Sequence, residues 1–131
     1  MTFADPFPIL LCDDLGPMVA FYRDLLGFTE KYRFPADGEP DFVVLRLGAA
    51  SVAFGQAATP ALHGLARGPH AGNRVELCVY ADDVDTAVAK LRAAGTTVLF
   101  APADQPWGER AAYVTDPEGT PVLIVAALPG G

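Results

Sequence analysis

The segments DDLGPMVAFYRDLLGF at residues 13–28 and DDVDTAVAKLRAAG at residues 82–95 decide how this chain folds. Each begins with a pair of aspartates, continues with apolar residues three and four positions apart, and ends at or next to a glycine. An aspartate side chain caps the free N–H groups at the start of a helix, and glycine adopts the left-handed conformation that ends one. Each segment therefore predicts a short amphipathic helix, capped by one member of its aspartate pair, and the second helix repeats the first after 69 residues.

Strands are predicted on both sides of each helix, from apolar runs bounded by glycine, proline and aspartate. One strand precedes each helix and three follow it, at about residues 7–12, 28–34, 41–47 and 51–56 in the first half and 74–80, 97–101, 110–115 and 121–127 in the second. The DPEG turn at residues 116–119 places proline and glycine where a type I turn prefers them. The chain thus contains two copies of a βαβββ unit.

This repeat predicts an α+β fold, in which two tandem βαβββ modules form a cupped mixed sheet with the helices on its outer face. Neither module covers both faces of its own sheet, so we expect the two to pair as a single domain over residues 1–131. Module one spans about residues 5–57, a linker about 58–73, and module two about 74–128. The concave surface of the sheet is the expected place for a ligand.

The composition favours a small-molecule partner over nucleic acid or a membrane. The chain carries a formal net charge of −7, which repels nucleic-acid phosphates and anionic lipid surfaces. Hydrophobic residues make up 51% of it, too many for a disordered chain, but no apolar run is long enough to cross a bilayer. The first residues do not resemble a signal peptide, so we expect a cytoplasmic protein in which Cys12 and Cys78 are buried free thiols.

Four segments, taken in order, resemble one known family: FYRDLLGF at residues 21–28, DDVD through AG at 82–95, QPWGER at 105–110 and DPEG at 116–119. Together they resemble the vicinal-oxygen-chelate superfamily, which contains glyoxalase I, the bleomycin-resistance proteins and the extradiol dioxygenases. The QPWG segment and the PIL opening at residues 8–10 are most similar to the bleomycin-resistance branch. The resemblance implies a homodimer that binds a drug or a toxic metabolite without changing it.

The resemblance also implies where a metal ion would lie. The metal enzymes of the superfamily place their ligands on the first and last strands of each module. Counted from the helix caps, these positions fall on Phe7, Ala53, Glu76 and Leu123. Only Glu76 offers a donor atom, and a catalytic ion requires about three protein ligands. We therefore predict no metal, no other cofactor, and neither glyoxalase nor dioxygenase chemistry.

Alternation along the strands predicts which side chains face the cavity. Aromatic rings, small residues and a single acid suit a flat, largely apolar ligand that carries one positive or hydrogen-donating group. The expected ligand-binding residues are Phe7, Ile9, Ala53, Glu76, Cys78, Tyr80, Trp107, Tyr113 and Leu123. Glu76 lies among apolar residues in its predicted strand, so it needs either a partner, for which Arg46 is one candidate, or contact with solvent.

Two further functions remain open beside the binding protein. One is a metal-dependent or acid–base enzyme of the same superfamily, with Glu76 as a general base or paired with His70 at the mouth of the cavity. His70 and His63 both lie in the predicted linker, where exposed loop histidines are the simpler interpretation. The other is an accessory domain with no ligand of its own. The sequence identifies neither the ligand nor whether the modules are exchanged between subunits.

Overall fold

A computed structural model describes residue 2 and residues 4–56 and 75–130. It forms two compact units, and each contains one helical segment and one four-stranded mixed sheet. The first unit consists of β1 (Ile9–Cys12), α1 (Leu15–Ala20) with a π-helical continuation (Phe21–Leu25), β2 (Thr29–Phe34), β3 (Phe42–Leu47) and β4 (Ala50–Gln56). The second consists of β5 (Leu77–Tyr80), α2 (Val84–Ala93), β6 (Val98–Asp104), β7 (Glu109–Thr115) and β8 (Pro121–Ala127).

The α+β class and the repeated βαβββ order are therefore confirmed. The single domain over the whole chain stays a prediction, and the predicted linker with His63 and His70 lies outside the described residues. Neither helix in the described part of the chain is long and apolar enough to cross a membrane.

The two sheets have the same topology. Their strand orders are β1-β4-β3-β2 and β5-β8-β7-β6, and in each the first strand pairs in parallel with the last. Ile9 lies opposite Ala53 in the first sheet, and Cys78 lies opposite Leu123 in the second. The repeat offset is thus 69 residues on the first strand and 70 on the last. Phe7 and Glu76, and likewise Ala53 and Leu123, therefore occupy equivalent positions relative to their own sheets.

The first strand of each unit is shorter than predicted. β1 begins at Ile9, so Phe7 precedes it, and Glu76 likewise precedes β5. Proline has no N–H group to donate to a ladder, and Pro8 contributes only its carbonyl oxygen, which accepts from Ala53 N at 2.9 Å. Phe7 and Glu76 therefore each lie just before a strand rather than inside it.

The core of the first unit is built around Tyr22. Its ring is fully buried, stacks on Phe54 with a centroid distance of 4.8 Å, and meets the edges of Phe21 and Phe28. Such pairs contribute roughly 0.5–1.5 kcal/mol beyond the burial of their area. The predicted helix continues after α1 as a π-helix over Phe21–Leu25, and Phe21, at its start, is buried in the same core.

The two helix starts are capped in different ways. In α2 the carboxylate of Asp83 accepts from Thr86 N at 3.0 Å, as the aspartate pattern predicts. In α1 Asp14 occupies the capping position, but the N–H of Leu15 donates to Oε1 of Gln56 at 3.0 Å. The amide nitrogen of Gln56 in turn donates to the carbonyl oxygen of Asp13. The last residue of β4 therefore holds the start of α1.

The glycines predicted to end the helices have the expected conformation. Gly27 and Gly95 have φ values of 85° and 91°, in the left-handed region. In the turn before β8, Gly119 N donates to the carbonyl oxygen of Asp116 at 3.0 Å. The buried carboxylate of Asp116 also accepts from Glu118 N and Thr120 N, so both the backbone and the side chain of Asp116 hold this turn.

We expect Gln56→Ala to lower the free energy of unfolding by about 1–2 kcal/mol, because it leaves the first N–H of α1 without its acceptor. Asp83→Ala should cost about 1 kcal/mol as an ordinary cap deletion. Urea denaturation followed by circular dichroism measures both. Gln105→Ala is the matched control, since the Gln105 side chain bonds only the nearby Ala103 carbonyl oxygen, at 3.3 Å. A Gln56→Ala loss no larger than that of the control would contradict the cap.

Candidate functional site

One face of the second sheet lies away from α2, and we name it the open face. The buried side chains of α2 are Val84, Val88 and Leu91, which pack on the opposite face. Because neighbours paired across strands point the same way, the open face carries one row through all four strands. That row consists of Cys78 on β5, Leu123 on β8, Tyr113 on β7 and Phe100 on β6.

A groove of about 340 Å³ crosses the open face. Its walls are mainly apolar and aromatic. They comprise Phe100, Ala101, Ala103, Gln105, Trp107, Ala111, Ala112, Tyr113 and Leu123. The rings of Phe100 and Tyr113 meet edge to face, with centroids 6.1 Å apart. Phe100 and Trp107 are 69% and 61% exposed, and neighbouring exposed rings of this size are a common feature of interaction surfaces.

The hairpin turn between β6 and β7 presents Trp107 to solvent. Gly108 N donates to the carbonyl oxygen of Gln105 at 3.2 Å, and Gln105 N donates to that of Glu109 at 2.7 Å. Gly108 has a φ of 94°, which a residue with a side chain rarely adopts. The indole Nε1 of Trp107 donates to Oε1 of Glu109 at 2.9 Å. The turn and this bond together hold the indole ring at the edge of the groove.

Glu76 is bonded to the other polar ring of the groove. The Tyr113 hydroxyl donates to Oε1 of Glu76 at 2.8 Å. This hydrogen bond to a carboxylate is the main reason why the pKa of Tyr113 lies above its ordinary value, and burial adds to it. The prediction of a carboxylate enclosed by apolar groups in mid-strand is wrong, because Glu76 is exposed and precedes β5. Its partner among the described residues is Tyr113, which the sequence analysis did not identify.

The two cysteines differ in exposure. Cys12 is fully buried and its Sγ donates to the carbonyl oxygen of Gly55 at 3.4 Å, whereas Cys78 is exposed on the open face, contrary to prediction. Partial burial raises the pKa of the Cys78 thiol, and the carboxylates of Glu109 and Glu76 raise it further. Because the thiolate is the reactive form, Cys78 is a weak nucleophile at neutral pH.

The structure brings part of the predicted binding set together. Trp107, Tyr113 and Leu123 line the groove, Glu76 bonds to Tyr113, and Cys78 lies opposite Leu123.

Four other members of the set lie elsewhere. Tyr80 is 75% exposed and lies outside the groove lining. Phe7, Ile9 and Ala53 belong to the first unit, where Phe7 and Ile9 are exposed and Ala53 has no exposed surface. Their role in binding stays a prediction.

Phe100 is the main residue that the sequence analysis missed. Exposed aromatic residues in a strand are a detectable signal, but β6 contains register shifts between Val98 and Phe100 and between Phe100 and Ala103. Each shift interrupts the alternation from which the facing side chains were deduced. Ala101 and Ala103 escaped notice for the same reason.

The positions that would ligate a metal in the family's enzymes do not fit one here. In the first unit they carry Phe7 and Ala53, and in the second Leu123 and a Glu76 that already accepts a bond from Tyr113. Within residues 4–56 and 75–130, no three His, Cys, Asp or Glu side chains come together. His63 and His70 lie outside those ranges.

Comparison with known proteins gives consistent matches. Residues 6–124 match the model of the Glyoxalase/Bleomycin resistance protein/Dioxygenase superfamily. Over 120 residues the chain is 32% identical to "Putative glyoxylase CFP32" of Mycobacterium tuberculosis, a match that covers 92% of this chain but only 42% of that protein.

Two solved structures are similar over nearly their whole length. A glyoxalase/bleomycin resistance protein/dioxygenase family enzyme from Burkholderia phytofirmans is 27% identical with a TM-score of 0.79, and the match covers 93% of this chain and 97% of the other. Lactoylglutathione lyase from Agrobacterium tumefaciens is 26% identical with a TM-score of 0.69, and the match covers 93% and 92%.

Glu76→Gln should return the pKa of Tyr113 toward its ordinary value, because a neutral amide accepts a weaker bond and adds no charge. A raised pKa stabilises the fold below the ordinary tyrosine pKa of about 10, and this contribution is lost as the pH rises through the raised value. Phenolate absorbance during alkaline titration measures the shift, and Tyr113→Phe identifies which of the four tyrosines moves. Glu39→Gln, in the first unit, is the control, and an unchanged Tyr113 titration in Glu76→Gln would contradict the bond.

Proposed function

The chain belongs to the glyoxalase/bleomycin resistance protein/dioxygenase superfamily, and from that premise we propose that it is a small-molecule binding protein. It holds a flat, largely apolar, cationic ligand in the groove of the open face, and it does so without a metal. The ligand is an antibiotic or a toxic metabolite that the protein sequesters unchanged. We expect it to act as a cytoplasmic homodimer.

The observation that carries this proposal is the set of aromatic rings around the groove, of which Phe100 and Trp107 are largely exposed. Phe100, Trp107 and Tyr113 surround a space of about 340 Å³, which falls in the range of small-ligand pockets. Rings that remain solvated without a ligand gain both burial and stacking when a planar molecule arrives. Each stacked pair adds roughly 0.5–1.5 kcal/mol beyond the area that it buries.

The charge of the ligand follows from the two carboxylates next to those rings. Glu76 and Glu109 each accept a hydrogen bond from a ring of the groove through one oxygen, so two carboxylate groups lie beside it. A cation over the indole of Trp107 would also interact with the ring face. The net charge of −7 attracts cations to the surface before they bind. These features support a cationic ligand over an anionic one.

The alternative function is a metal-dependent or acid–base enzyme of the same superfamily. Two similar proteins, one named lactoylglutathione lyase and the other putative glyoxylase, favour it. The donor set is the argument against it, because three of the four ligand positions carry hydrocarbon side chains, namely Phe7, Ala53 and Leu123. Among the described residues Glu76 belongs to no group of three His, Cys, Asp or Glu side chains that could hold a metal ion.

Metal analysis of the purified protein separates the two functions. We expect well below one equivalent of nickel, zinc, iron or manganese per chain, and the same content in Glu76→Ala, because one carboxylate binds such ions weakly. The measurement is elemental analysis after dialysis without chelator. One tightly held equivalent that disappears in Glu76→Ala would refute the binding-only proposal and favour the enzyme.

Trp107 is the only tryptophan, so its fluorescence reports directly on the groove. Proflavine, a planar cation, should quench it with a dissociation constant about tenfold lower than that of neutral acridone, a difference of about 1.4 kcal/mol. Anthracene carboxylate, a planar anion, should bind more weakly than either. Calorimetric titration should show that Trp107→Ala weakens proflavine binding about three- to tenfold, as expected for one stacked ring.

Leu99→Ala is the matched control for this experiment. Leu99 is a 46% exposed apolar residue on the same strand as Phe100, but it does not line the groove. Its replacement should leave proflavine binding unchanged. If none of the three planar compounds changes the fluorescence or releases heat, the proposed function is wrong.

A further inference from the structure

One arginine joins three elements of the second unit. The guanidinium of Arg110 on β7 donates to both carboxylate oxygens of Asp85 on α2, from Nε at 2.6 Å and from Nη2 at 2.9 Å. Its Nη1 donates to Oδ1 of Asp104 on β6 at 2.8 Å. The two acids raise the pKa of Arg110 well above its ordinary value, and the arginine holds that of Asp85 below its own. The three side chains form a charged network that we name the Arg110 network.

This network lies directly behind the hairpin turn that presents Trp107. Asp104 and Arg110 are opposite one another across β6 and β7, and the turn connects their two strands. Glu109, next to Arg110 in sequence, bonds to the indole on the open face. Because successive side chains of a strand point to opposite faces, Arg110 points to the side where α2 lies. The same strand end is therefore bonded to Trp107 on one face and to the helix on the other.

The end of this hairpin is joined to the sheet on its β7 side. Glu109 and Arg110 pair with Ala127 and Ala126 of β8, and backbone bonds between Gln105, Gly108 and Glu109 close the turn. The β6 side is less regular, because a register shift between Phe100 and Ala103 leaves two paired positions beyond it, Ala103 with Ala111 and Asp104 with Arg110. The bonds of Arg110 add a side-chain connection from this hairpin end to α2.

The Arg110 network supplies geometry rather than stability. Its side chains are 34%, 57% and 62% exposed for Arg110, Asp85 and Asp104, and exposed ion pairs contribute little to the free energy of unfolding. A two-pronged contact between arginine and a carboxylate nevertheless fixes the relative orientation of the two groups, which a lysine ammonium does not. Here the contact with Asp85 fixes the start of β7, which also carries Glu109, the hydrogen-bond partner of Trp107.

We propose that Arg110 is a positioning residue for the groove, and that its bonds to Asp85 and Asp104 hold the hairpin so that Trp107 stays oriented for stacking on a ligand. The effect on ligand affinity rests on the proposed function, whereas the effect on Trp107 itself does not. Without Arg110 the indole samples several orientations, and a flat ligand must restrict them when it binds.

The mobility of Trp107 in the ligand-free protein tests the first claim, that Arg110 orients the indole. Arg110→Gln should lower the fluorescence anisotropy of Trp107 and increase its acrylamide quenching constant about twofold, while the urea midpoint stays close to that of the wild type. Arg110→Lys should give anisotropy and quenching values between those of the wild type and Arg110→Gln, because an ammonium keeps the charge but loses the two-pronged contact. Asp85→Asn tests the same network from the helix, in case Arg110→Gln does not fold.

Arg33→Gln is the matched control. Arg33 makes an equivalent two-pronged contact with Glu30 in the first unit, from Nε at 2.6 Å and Nη2 at 3.2 Å. Its loss should leave the anisotropy and quenching of Trp107 unchanged. Equal anisotropy and quenching in wild type, Arg110→Gln and Asp85→Asn would overturn the inference, as would an identical change in Arg33→Gln.

Proflavine affinity tests the second claim, that an oriented Trp107 strengthens ligand binding. Arg110→Gln should weaken binding about three- to tenfold, close to the loss expected from Trp107→Ala, with Arg33→Gln unchanged. A more mobile Trp107 with unaltered proflavine affinity would refute the positioning role. If the wild-type chain binds no planar compound, the proposed function fails, and the anisotropy result still decides whether Arg110 orients Trp107.

Discussion

Each βαβββ unit has one helical segment and a four-stranded sheet, and one helix can cover only one face of such a sheet. In the second unit α2 covers one face with Val84, Val88 and Leu91. The other face must remain in contact with solvent or with a ligand or partner. That face carries the groove, the exposed rings of Phe100 and Trp107, and the bond between Tyr113 and Glu76. The uncovered face with its groove is thus a direct consequence of the helix content of the repeat.

The features that the sequence predicted well are those that depend on local chemistry. The aspartate of the second helix caps its own chain three residues later, and the glycines after both helices adopt positive φ because their neighbours in sequence require it. The predicted offset of 69 residues between the repeats also agrees with the structure, because the two sheets pair their strands in the same order and place Ile9 and Cys78 at equivalent positions. A pattern within about ten residues was sufficient for the cap and the glycines, and the offset required only that the two halves be compared.

The features that the sequence did not predict depend on residues that are far apart in it. Gln56 caps a helix that begins 41 residues earlier, and the partner of Glu76 is 37 residues away on another strand. Phe100 was missed for a different reason, because the irregular β6 breaks the alternation. Glu76 was expected to lie among apolar groups and to need a partner or solvent, whereas its carboxylate is exposed and accepts a hydrogen bond from the Tyr113 hydroxyl. Only the three-dimensional structure shows such contacts.

The parallel pairing of the first and last strands has a consequence for how the first unit folds. Since Cys12 lies opposite Gln56, the end of the last strand arrives where the helix begins, and its amide completes the cap. Neither β1 nor α1 has its full set of partners until Gln56 has left the ribosome. The unit therefore assembles only after all its strands have been synthesised, and a nascent chain that stops before β4 would leave its first strand without a neighbour.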